Sequence, residues 1–427
     1  MSPFKKKIIA VFCLVFLAFL SQPKVIHIYH DMATTPSFFQ MINYINQSEN
    51  DLKIVFWRRF NHHIMNKNKY KNTLFTLDQD EIFDTIRKYK EEYKRIKIIL
   101  HYNLHHSFIL DNLQKEFSKD IKIVHIYEDS AGYIWWNTSR DYLLNNEPKI
   151  KKNLHIWGDF NILCDKKNPL TRCSTLNEIS NNIRIIPLDF YQLREFLSAE
   201  EKKALFELAG FDLEKYKKLL SKTKNAIYIL GVNEYHTFEP AQLASLKDDC
   251  KKNPQYNWFY KPHPNRTQTP TQEILNHFCP GIKPLDSHIP YELLILSGLK
   301  PEKVSGFGSS LFFNQNKGEI LSYIQRTNHD PYLTTLKKAK LVTDKNLYSF
   351  EKTKKWIHEN SLFVNYDEPY ANYWLIKVGE NRFCKMTINQ CATLTNDSSS
   401  FKILHFDNGY ILKLQHIKEN EWEEIKN

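Results

Sequence analysis

Short apolar segments alternate with amphipathic helical patterns over most of the chain, and this alternation constrains the fold more than any other feature. Residues 24–29, 52–57 and 121–127 have the composition of buried strands, while residues 80–96 place Ile and aromatic side chains on one helical face. A second series of the same kind runs from about residue 184 to about residue 307. Strands that alternate with helices predict a parallel sheet covered on both faces, so we expect an α/β protein with two such halves.

The same pattern divides the chain into four parts. Residues 23–155 and 156–357 are predicted to form two Rossmann-like domains, with a polar linker at the start of the second. Residues 358–427 are predicted to form a small β-rich extension, because apolar runs flank Asp407-Asn408-Gly409 and Asn-Gly is a strong hairpin signal. Residues 1–22 are set apart as a targeting segment.

The N-terminus combines three basic residues, Lys5 to Lys7, with thirteen consecutive apolar residues at positions 8–20. This pattern is typical of a secretory signal or of a weak membrane anchor. Thirteen residues are fewer than the roughly 17 to 25 that cross a bilayer comfortably. A buried first strand or helix is the alternative interpretation. We therefore expect either membrane association through this segment or export with cleavage.

Composition and charge narrow the classes of function. With 42% hydrophobic and 14% aromatic residues, the chain is unlike a disordered protein. Its formal net charge of +11 suits an anionic partner such as a nucleotide, an acidic sugar or a lipid head group, although a general bias toward Lys and Asn explains the charge equally well. The basic residues are spread along the chain, which disfavours a nucleic-acid binder. The seven cysteines include no C-x-x-C, so neither a zinc ribbon nor a disulfide framework is indicated.

Two carboxylates follow a predicted strand of the first series. Glu128 and Asp129 come directly after Tyr127, and the carboxyl ends of strands face the ligand crevice in open α/β sheets. A crowded or buried carboxylate can act there as a general base, because its pKa is raised toward neutrality. A turn with a helix cap is the structural alternative.

An imidazole follows a predicted strand of the second series, in the sequence Lys261-Pro262-His263-Pro264. Pro264 favours an extended conformation of His263, and a protonated histidine beside a lysine suits an anion such as phosphate. A rigid surface turn explains the same residues.

Hydroxyl groups follow the last strand of the second series. Gly308-Ser309-Ser310 precede an apolar run, and a helix that starts there would offer N–H groups and two hydroxyls to a phosphate. An ordinary N-cap is the alternative. Glu292 lies one turn into a helix opened by Pro290, where an acid is favourable without any ligand.

Metal binding is not indicated by the sequence. His101, His105 and His106 lack the glutamate of H-E-x-x-H, which disfavours zinc. Asp78-Gln79-Asp80 is interpreted as a helix cap rather than as a metal-binding D-x-D motif, because an amphipathic helix follows it directly.

In their order and context, these clusters resemble the bacterial sialyltransferases of glycosyltransferase family 80. The most specific stretch is IPYELLILSGLKPEKVSGFGSSLFF at residues 289–313, in which Ser309 follows Glu292 by seventeen positions. Four further motifs stand in the same order, and they are Trp57-Arg58-Arg59-Phe60, Asn103-Leu104-His105-His106-Ser107, Tyr127-Glu128-Asp129-Ser130 and Lys261-Pro262-His263-Pro264. The resemblance covers residues 24 to about 355.

The resemblance implies a GT-B fold, with two Rossmann-like domains facing a central cleft. It also implies an inverting, metal-independent transfer of sialic acid from CMP-sialic acid to a galactose-type acceptor. Asp129 is implied as the general base, and His263 as the partner of the donor phosphate and the general acid. The other implied contacts are Ser309 and Ser310 with the phosphate, Glu292 with the ribose, Lys261 near the cytosine, Gly231 and Pro264 on the donor side, and Arg59, His106 and Tyr235 on the acceptor or donor side.

The chain departs from the family pattern at four sites. The family usually has Asp-Asp-Gly where this chain has Glu128-Asp129-Ser130, and it has a glycine in place of Pro262. Tyr235 stands where the family has an acceptor-side tryptophan, and Asp80 where it has a donor-side asparagine. These changes bear on the acceptor more than on the donor.

The expected partners are a CMP-sugar donor and a galactose-terminated oligosaccharide or lipooligosaccharide, with no cofactor and no nucleic acid. The expected location is the bacterial inner membrane, or the periplasm or medium if the N-terminal segment is cleaved. The supply of CMP-sialic acid in the cytoplasm favours a body that faces the cytoplasm, whereas Lys5 to Lys7 on the cytoplasmic side would place the body outside. Two other functions also fit the sequence. One is a transferase of another CMP-activated acidic sugar such as Kdo, and the other is a non-catalytic glycan-binding envelope protein.

Overall fold

The computed structural model divides the chain into two units, Met1–Phe211 and Asp212–Asn427, which we call unit 1 and unit 2. The structure describes residues 23–64, 66–103, 107–127, 153–158, 183–221, 224–231, 240–263, 269–365 and 372–425. The targeting segment predicted for residues 1–22 lies outside them. None of the helices in these ranges has the length and apolar character that a membrane span requires.

Unit 1 is built on a sheet of seven parallel strands in the order β3-β2-β1-β4-β5-β6-β7. Its strands are β1 Lys24–Asp31, β2 Leu52–Trp57, β3 Thr73–Phe75, β4 Ile96–Tyr102, β5 Ile121–Tyr127, β6 Asn153–Gly158 and β7 Ile183–Pro187. Its described helices are α1 Thr34–Tyr44, α2 Gln79–Tyr93, α3 Ser107–Phe117, α4 Phe190–Phe196 and α5 Ala199–Leu208, with a short 3₁₀ helix at Lys67–Lys69. The strand order reverses between β1 and β4, and such a reversal marks the ligand crevice in open α/β sheets.

Local sequence signals explain where these helices begin and end. The side chain of Asp78 accepts the N–H of Asp80 at 2.9 Å and caps α2, so its interpretation as a helix cap is confirmed. Ser198 and Glu201 form the predicted capping box of α5. On the inner face of α2, Ile82 and Ile86 are fully buried against the sheet, and burying such a side chain contributes about 1.5–3 kcal/mol.

The division between the units comes later in the chain than the predicted boundary at residues 155 and 156. Strand β6 spans that boundary, and β7 pairs with it in parallel from Leu154 and Ile183 to Gly158 and Pro187. Residues 156–158 of β6 and the whole of β7, all expected in the second domain, therefore belong to the first sheet. The polar composition that suggested a domain linker lies between two neighbouring strands of one sheet.

Unit 2 contains a six-stranded parallel sheet in the order β10-β9-β8-β11-β12-β13. Its strands are β8 Asn225–Ile229, β9 Asn257–Lys261, β10 Lys283–Pro284, β11 Lys303–Phe307, β12 Ile320–Ile324 and β13 Leu347–Tyr348. Its helices are α6 Leu213–Leu219, α7 Gln242–Lys252, α8 Gln272–Phe278, α9 Tyr291–Leu296, α10 Pro331–Lys338 and α11 Phe350–Asn360, with a 3₁₀ helix at Ser310–Asn314.

The predicted β-rich extension is a closed barrel of seven strands in sequence order. They are β14 Ser361–Asn365, β15 Tyr373–Lys377, β16 Arg382–Lys385, β17 Cys391–Asp397, β18 Phe401–Phe406, β19 Ile411–Lys418 and β20 Glu421–Glu424. Parallel pairing of β14 with β20 closes the barrel. The predicted Asn-Gly hairpin joins β18 to β19, with Gly409 at a φ of +88°.

The barrel shares an apolar cluster with the sheet half of unit 2. Ile376, Cys384 and Met386 of the barrel pack with Leu275 and Phe278 of α8. The carbonyl of Met386 also accepts the N–H of Thr271 at 2.9 Å. The barrel is therefore an integral part of unit 2.

Two disulfides in unit 2 correct the expectation from cysteine spacing. Cys250 in α7 is bonded to Cys279 after α8, and Cys384 in β16 is bonded to Cys391 in β17. The first pair is 29 residues apart in sequence and the second pair 7. The pairing depends on how helices and strands meet in the fold, so short cysteine motifs do not reveal it.

Candidate functional site

The predicted donor-side residues follow three adjacent strands of unit 2 at the same edge of the sheet. Lys261 in β9 is in register with Ile229 in β8, and Ile229 is in register with Gly306 in β11. His263 comes two residues after Lys261, and Gly231 comes two residues after Ile229. Ser309 comes three residues after Gly306. Parallel strands carry their ligand sites at this carboxyl edge. The structure therefore brings these predicted residues to one edge of one sheet.

Lys261 is buried at this edge, and its ammonium group has a defined partner. The side chain is 8% exposed, and Nζ donates to the carbonyl of Ser287 at 2.8 Å. Ser287 lies in the segment that leads into α9, the helix of Glu292. This hydrogen bond therefore connects the segment before α9 to the end of β9.

Glu292 is connected to the segment of the two serines through an asparagine. The residue is 3% exposed, and its Oε1 accepts a hydrogen bond from Nδ2 of Asn314 at 3.3 Å. Asn314 is the last residue of the 3₁₀ helix that begins at Ser310. Sequence reasoning missed Asn314, because its partner is 22 residues away and the apolar run around it indicates only core packing.

Ser309 is the N-cap of this 3₁₀ helix, since its Oγ accepts the N–H of Leu311 at 3.4 Å. The helix has five residues, which is too short to carry a large dipole. A phosphate at this turn would therefore depend on the hydroxyls, on N–H groups and on nearby cations.

Two glycines allow the strand ends to lie this close together. A Cβ on Gly306, whose φ is +124°, would lie 2.3 Å from the carbonyl oxygen of Ile229. A Cβ on Gly308 would lie 2.6 Å from Oη of Tyr323 and 2.8 Å from Cγ of Arg326. The tight approach of β11 to β8, and of the serine turn to β12, therefore requires glycine at both positions.

Gly231 is held at the end of β8 by a glutamine that sequence reasoning did not identify. The fully buried Gln242 accepts the N–H of Gly231 at 3.0 Å and donates to its carbonyl at 2.8 Å. Both hydrogen-bonding groups of the Gly231 backbone are thus satisfied by one side chain. Gln242 fixes the point from which the chain continues toward Tyr235.

In unit 1, Asn103 holds the end of the strand that precedes the predicted base. Asn103 is 1% exposed, and its Nδ2 donates to the carbonyl of Tyr127, the last residue of β5, at 2.9 Å. Arg59 is exposed in the turn after β2. The predictions for Asp129, His106, Tyr235 and Pro264 lie outside the described residues.

A chain of hydrogen bonds connects buried side chains of β5, β4 and β1 in the unit 1 sheet. Nδ1 of His101 is 3.0 Å from Oη of Tyr127, and Nε2 of His101 is 3.0 Å from Nδ1 of His27. Nε2 of His27 lies 3.4 Å from the carboxylate of Asp51. One neutral arrangement satisfies every group, in which Tyr127 donates to His101, His101 donates to His27 and His27 donates to Asp51.

Burial keeps these imidazoles neutral. It lowers the pKa of His27 to about 4, with smaller effects of Lys53 and Lys97. The pKa of His101 is also well below its ordinary value, because of burial and then the neighbouring His125 and His27. His125 stacks on His101 with a centroid distance of 4.7 Å, and burial followed by His155 lowers its pKa to about 3.

Comparison with known proteins first establishes the class of the fold. The chain is similar to an α/β-galactoside α-2,3-sialyltransferase from Photobacterium phosphoreum, at 18% identity and a TM-score of 0.62 over 77% of this chain and 99% of the other. It is similar to the GT-B domain of a Photobacterium damselae sialyltransferase at 17% identity and a TM-score of 0.57, over 76% of this chain and 99% of the other. The predicted GT-B fold is confirmed.

A third similar structure is the 2,6-sialyltransferase of Photobacterium sp. JT-ISH-224 in a ternary complex with CMP and lactose. It is 17% identical, with a TM-score of 0.57 over 76% of this chain and 78% of the other. Comparison with curated protein sequences gave no match.

A family model matches part of the chain and bears on its activity. Residues 241–349 match the family model described as Sialyltransferase PMO188, a range that contains Lys261, His263, Glu292, Ser309 and Ser310. The predicted resemblance to bacterial sialyltransferases is confirmed, and the protein is an enzyme of sialyl transfer. The family match ends at residue 349, before the barrel begins.

Proposed function

We propose that this enzyme transfers sialic acid from CMP-sialic acid to a galactose-type acceptor of a surface glycan, with inversion and without a metal ion. The observation that supports the proposal best is the placement of Lys261, Gly231 and the Gly308–Ser310 turn at one edge of the unit 2 sheet. The register of Lys261 with Ile229, and of Ile229 with Gly306, sets this placement. The similar Photobacterium 2,6-sialyltransferase was solved with CMP and lactose, which are a donor product and an acceptor of this kind.

In the proposed reaction, an acceptor hydroxyl oxygen bonds to the anomeric carbon of sialic acid while the bond from that carbon to the phosphate oxygen breaks. The sugar becomes positively charged and the phosphate gains negative charge. His263, Ser309 and Ser310 stabilise the departing phosphate, and His263 gives it a proton. Asp129 takes the proton of the acceptor hydroxyl. The proton balance is thus met by side chains of the enzyme.

The remaining residues would bind the two substrates. Glu292 would accept hydrogen bonds from the ribose hydroxyls, a role for which a buried carboxylate already connected to the serine segment is suited. Lys261 would lie near the cytosine. The further proposed contacts are Gly231 and Pro264 on the donor side, and Arg59, His106 and Tyr235 on the acceptor or donor side.

The direct test is incubation of the purified protein with CMP-sialic acid and a panel of galactosides, followed by mass spectrometry of the products. We expect one sialic acid to be added to a terminal galactose, with release of CMP. Parallel reactions with CMP-Kdo distinguish the other acidic sugar. Absence of product and of CMP release with every donor would favour a glycan-binding protein without turnover.

We also propose that the enzyme works outside the cytoplasm, either held at the inner membrane by its N-terminal segment or released into the periplasm or medium. Disulfides persist in oxidising compartments, and unit 2 contains two of them. The basic and apolar N-terminus is the pattern of an exported chain.

Removing the longer disulfide is expected to destabilise unit 2 more than removing the shorter one. Loss of the Cys250–Cys279 bond, with a separation of 29 residues, is expected to cost about 3–4 kcal/mol, because the loop it closes is longer. Thermal unfolding of the Cys250→Ser/Cys279→Ser and Cys384→Ser/Cys391→Ser variants compares the two. If all four cysteines of the native enzyme react with a thiol reagent before reduction, the bonds and the inferred compartment are both wrong.

A further inference from the structure

Arg326 lies at the same sheet edge as the proposed donor-phosphate site. Strand β12 pairs in parallel with β11, and Ile324 is in register with Phe307. Arg326 comes two residues after Ile324, just as Ser309 comes two residues after Phe307. The N–H of Gly308 donates to the carbonyl of Ile324 at 3.2 Å, which fixes the two strand ends together. The arginine and the serine turn are therefore neighbours by register.

Packing fixes the side chain of Arg326 beside this turn. Its Cγ and Cδ lie only 2.8 Å and 3.0 Å from the position that a Cβ of Gly308 would occupy. Its guanidinium carbon lies 5.7 Å from the ring centroid of Phe307 and 5.4 Å from that of Tyr332. Contacts of a guanidinium with aromatic faces stabilise the cation and restrict its orientation.

The backbone around Arg326 is fixed by a buried carboxylate. Asp330, which is 4% exposed, accepts the N–H of Arg326 at 3.0 Å and the hydroxyl of Tyr323 at 2.8 Å. Tyr323 is the residue whose hydroxyl lies against Gly308. The arginine, its strand end and the glycine of the serine turn thus form one connected assembly.

We propose that Arg326 is a further donor-binding residue, which contacts the phosphate of CMP together with His263, Ser309 and Ser310. This inference rests on the proposed function. Guanidinium groups match the geometry of phosphate and remain charged at all physiological pH values, whereas the charge of a histidine depends on pH. Arg326 supplies a permanent positive charge where the leaving phosphate becomes more negative.

Calorimetric titration with CMP and with cytidine, which lacks the phosphate, tests this role. Arg326→Met keeps the length of the apolar stem against Gly308 but removes the charge. It is expected to weaken CMP binding by about 10- to 100-fold, the range for a hydrogen bond to a charged group, and to leave cytidine binding unchanged. Arg326→Lys keeps a positive charge but lacks the planar, two-pronged hydrogen-bonding geometry of a guanidinium. Its CMP affinity is expected to lie between that of Arg326→Met and that of the natural enzyme.

Arg382→Met is the matched control, because Arg382 lies in the barrel of the same unit and pairs with Asp407. It is expected to bind CMP as the natural enzyme does. Unchanged CMP binding by Arg326→Met, or equal weakening of CMP and cytidine, overturns the role of Arg326. If Arg326→Met does not fold, the same comparison of CMP affinity with cytidine affinity is made with Arg326→Lys. Weaker binding of CMP alone supports the role of Arg326, and unchanged binding of CMP overturns it. Failure of the natural enzyme to bind CMP contradicts the proposed function itself.

Discussion

Replacing Asp129 with alanine is expected to lower sialyl transfer by about 10²–10⁴-fold, the usual effect of removing a general base, while CMP binding stays unchanged. The acceptor hydroxyl must lose its proton as it attacks, and Asp129 is the proposed acceptor of that proton. The CMP-binding residues are on unit 2, whereas Asp129 follows β5 of unit 1. Turnover at saturating donor and calorimetry with CMP measure the two effects separately.

Two neighbouring substitutions make this test specific. Glu128→Ala removes the adjacent carboxylate and is expected to retain most of the activity. His263→Ala is expected to lower both turnover and CMP affinity, because His263 is proposed to contact the phosphate. Natural turnover in Asp129→Ala would remove Asp129 from the mechanism, and a large loss in Glu128→Ala alone would transfer the role of the base to Glu128.

Acidification from pH 7 toward pH 4 is expected to unfold unit 1 through its buried histidines. A histidine whose folded pKa lies below its unfolded value stabilises the protein above about pH 6.5, and that stability is lost as the pH falls through the folded pKa. With a pKa of about 4, His27 alone accounts for about 3 kcal/mol. His125, with a pKa of about 3, is expected to lower the stability further as the pH falls. Whole domains are stable by only about 5–15 kcal/mol.

Asp249 in unit 2 gives stability the opposite dependence on pH. Burial raises its pKa to about 6, although the hydrogen bond from Ser322 acts in the other direction. A carboxyl group of this kind stabilises the fold below its unfolded pKa near 3.8, and this contribution is lost as the pH rises through about 6. Acid should therefore weaken unit 1 while this carboxyl group supports unit 2.

Hydrogen exchange followed by mass spectrometry at pH 7 and pH 4.5, corrected for the intrinsic exchange rates, resolves the two units. We expect peptides from β1, β4 and β5 to lose protection at the lower pH before peptides from β8 and β11 do. His27→Gln, which cannot take up a proton, should reduce this dependence. His277→Gln, at an exposed position of unit 2, should leave it unchanged. Equal protection of β1 at both pH values would contradict the prediction.

The elements that the sequence predicted well are those with local signals. Residues 24–29 were expected as a strand and are part of β1, and Ser198 with Glu201 predicted the start of α5 correctly. Apolar periodicity and capping act over a few residues, so a sequence displays them directly. The edge of the unit 2 sheet could also be predicted, because each cluster follows a strand and parallel strands share one carboxyl edge.

The features that the sequence did not reveal depend on contacts between distant residues. Strand β7 pairs with β6 across a polar stretch that resembled a linker. The barrel closes through β14 and β20, where Phe363 is in register with Glu421. Gln242 and Asn314 stabilise the carboxyl edge of the unit 2 sheet through side-chain hydrogen bonds. Their partners are 11 and 22 residues away in sequence. No periodicity or motif marks such residues, since many Gln and Asn side chains in a chain like this are simply solvated.

The contact between the barrel and α8 has a consequence for protein engineering. Phe278 and Trp356 pack in the same apolar cluster as Ile376 and Met386. A recombinant fragment that stops near residue 355, where the resemblance to bacterial sialyltransferases ends, would expose this cluster to water and promote aggregation. Chimeric enzymes that exchange the donor half should therefore carry the C-terminal barrel with it as one cassette.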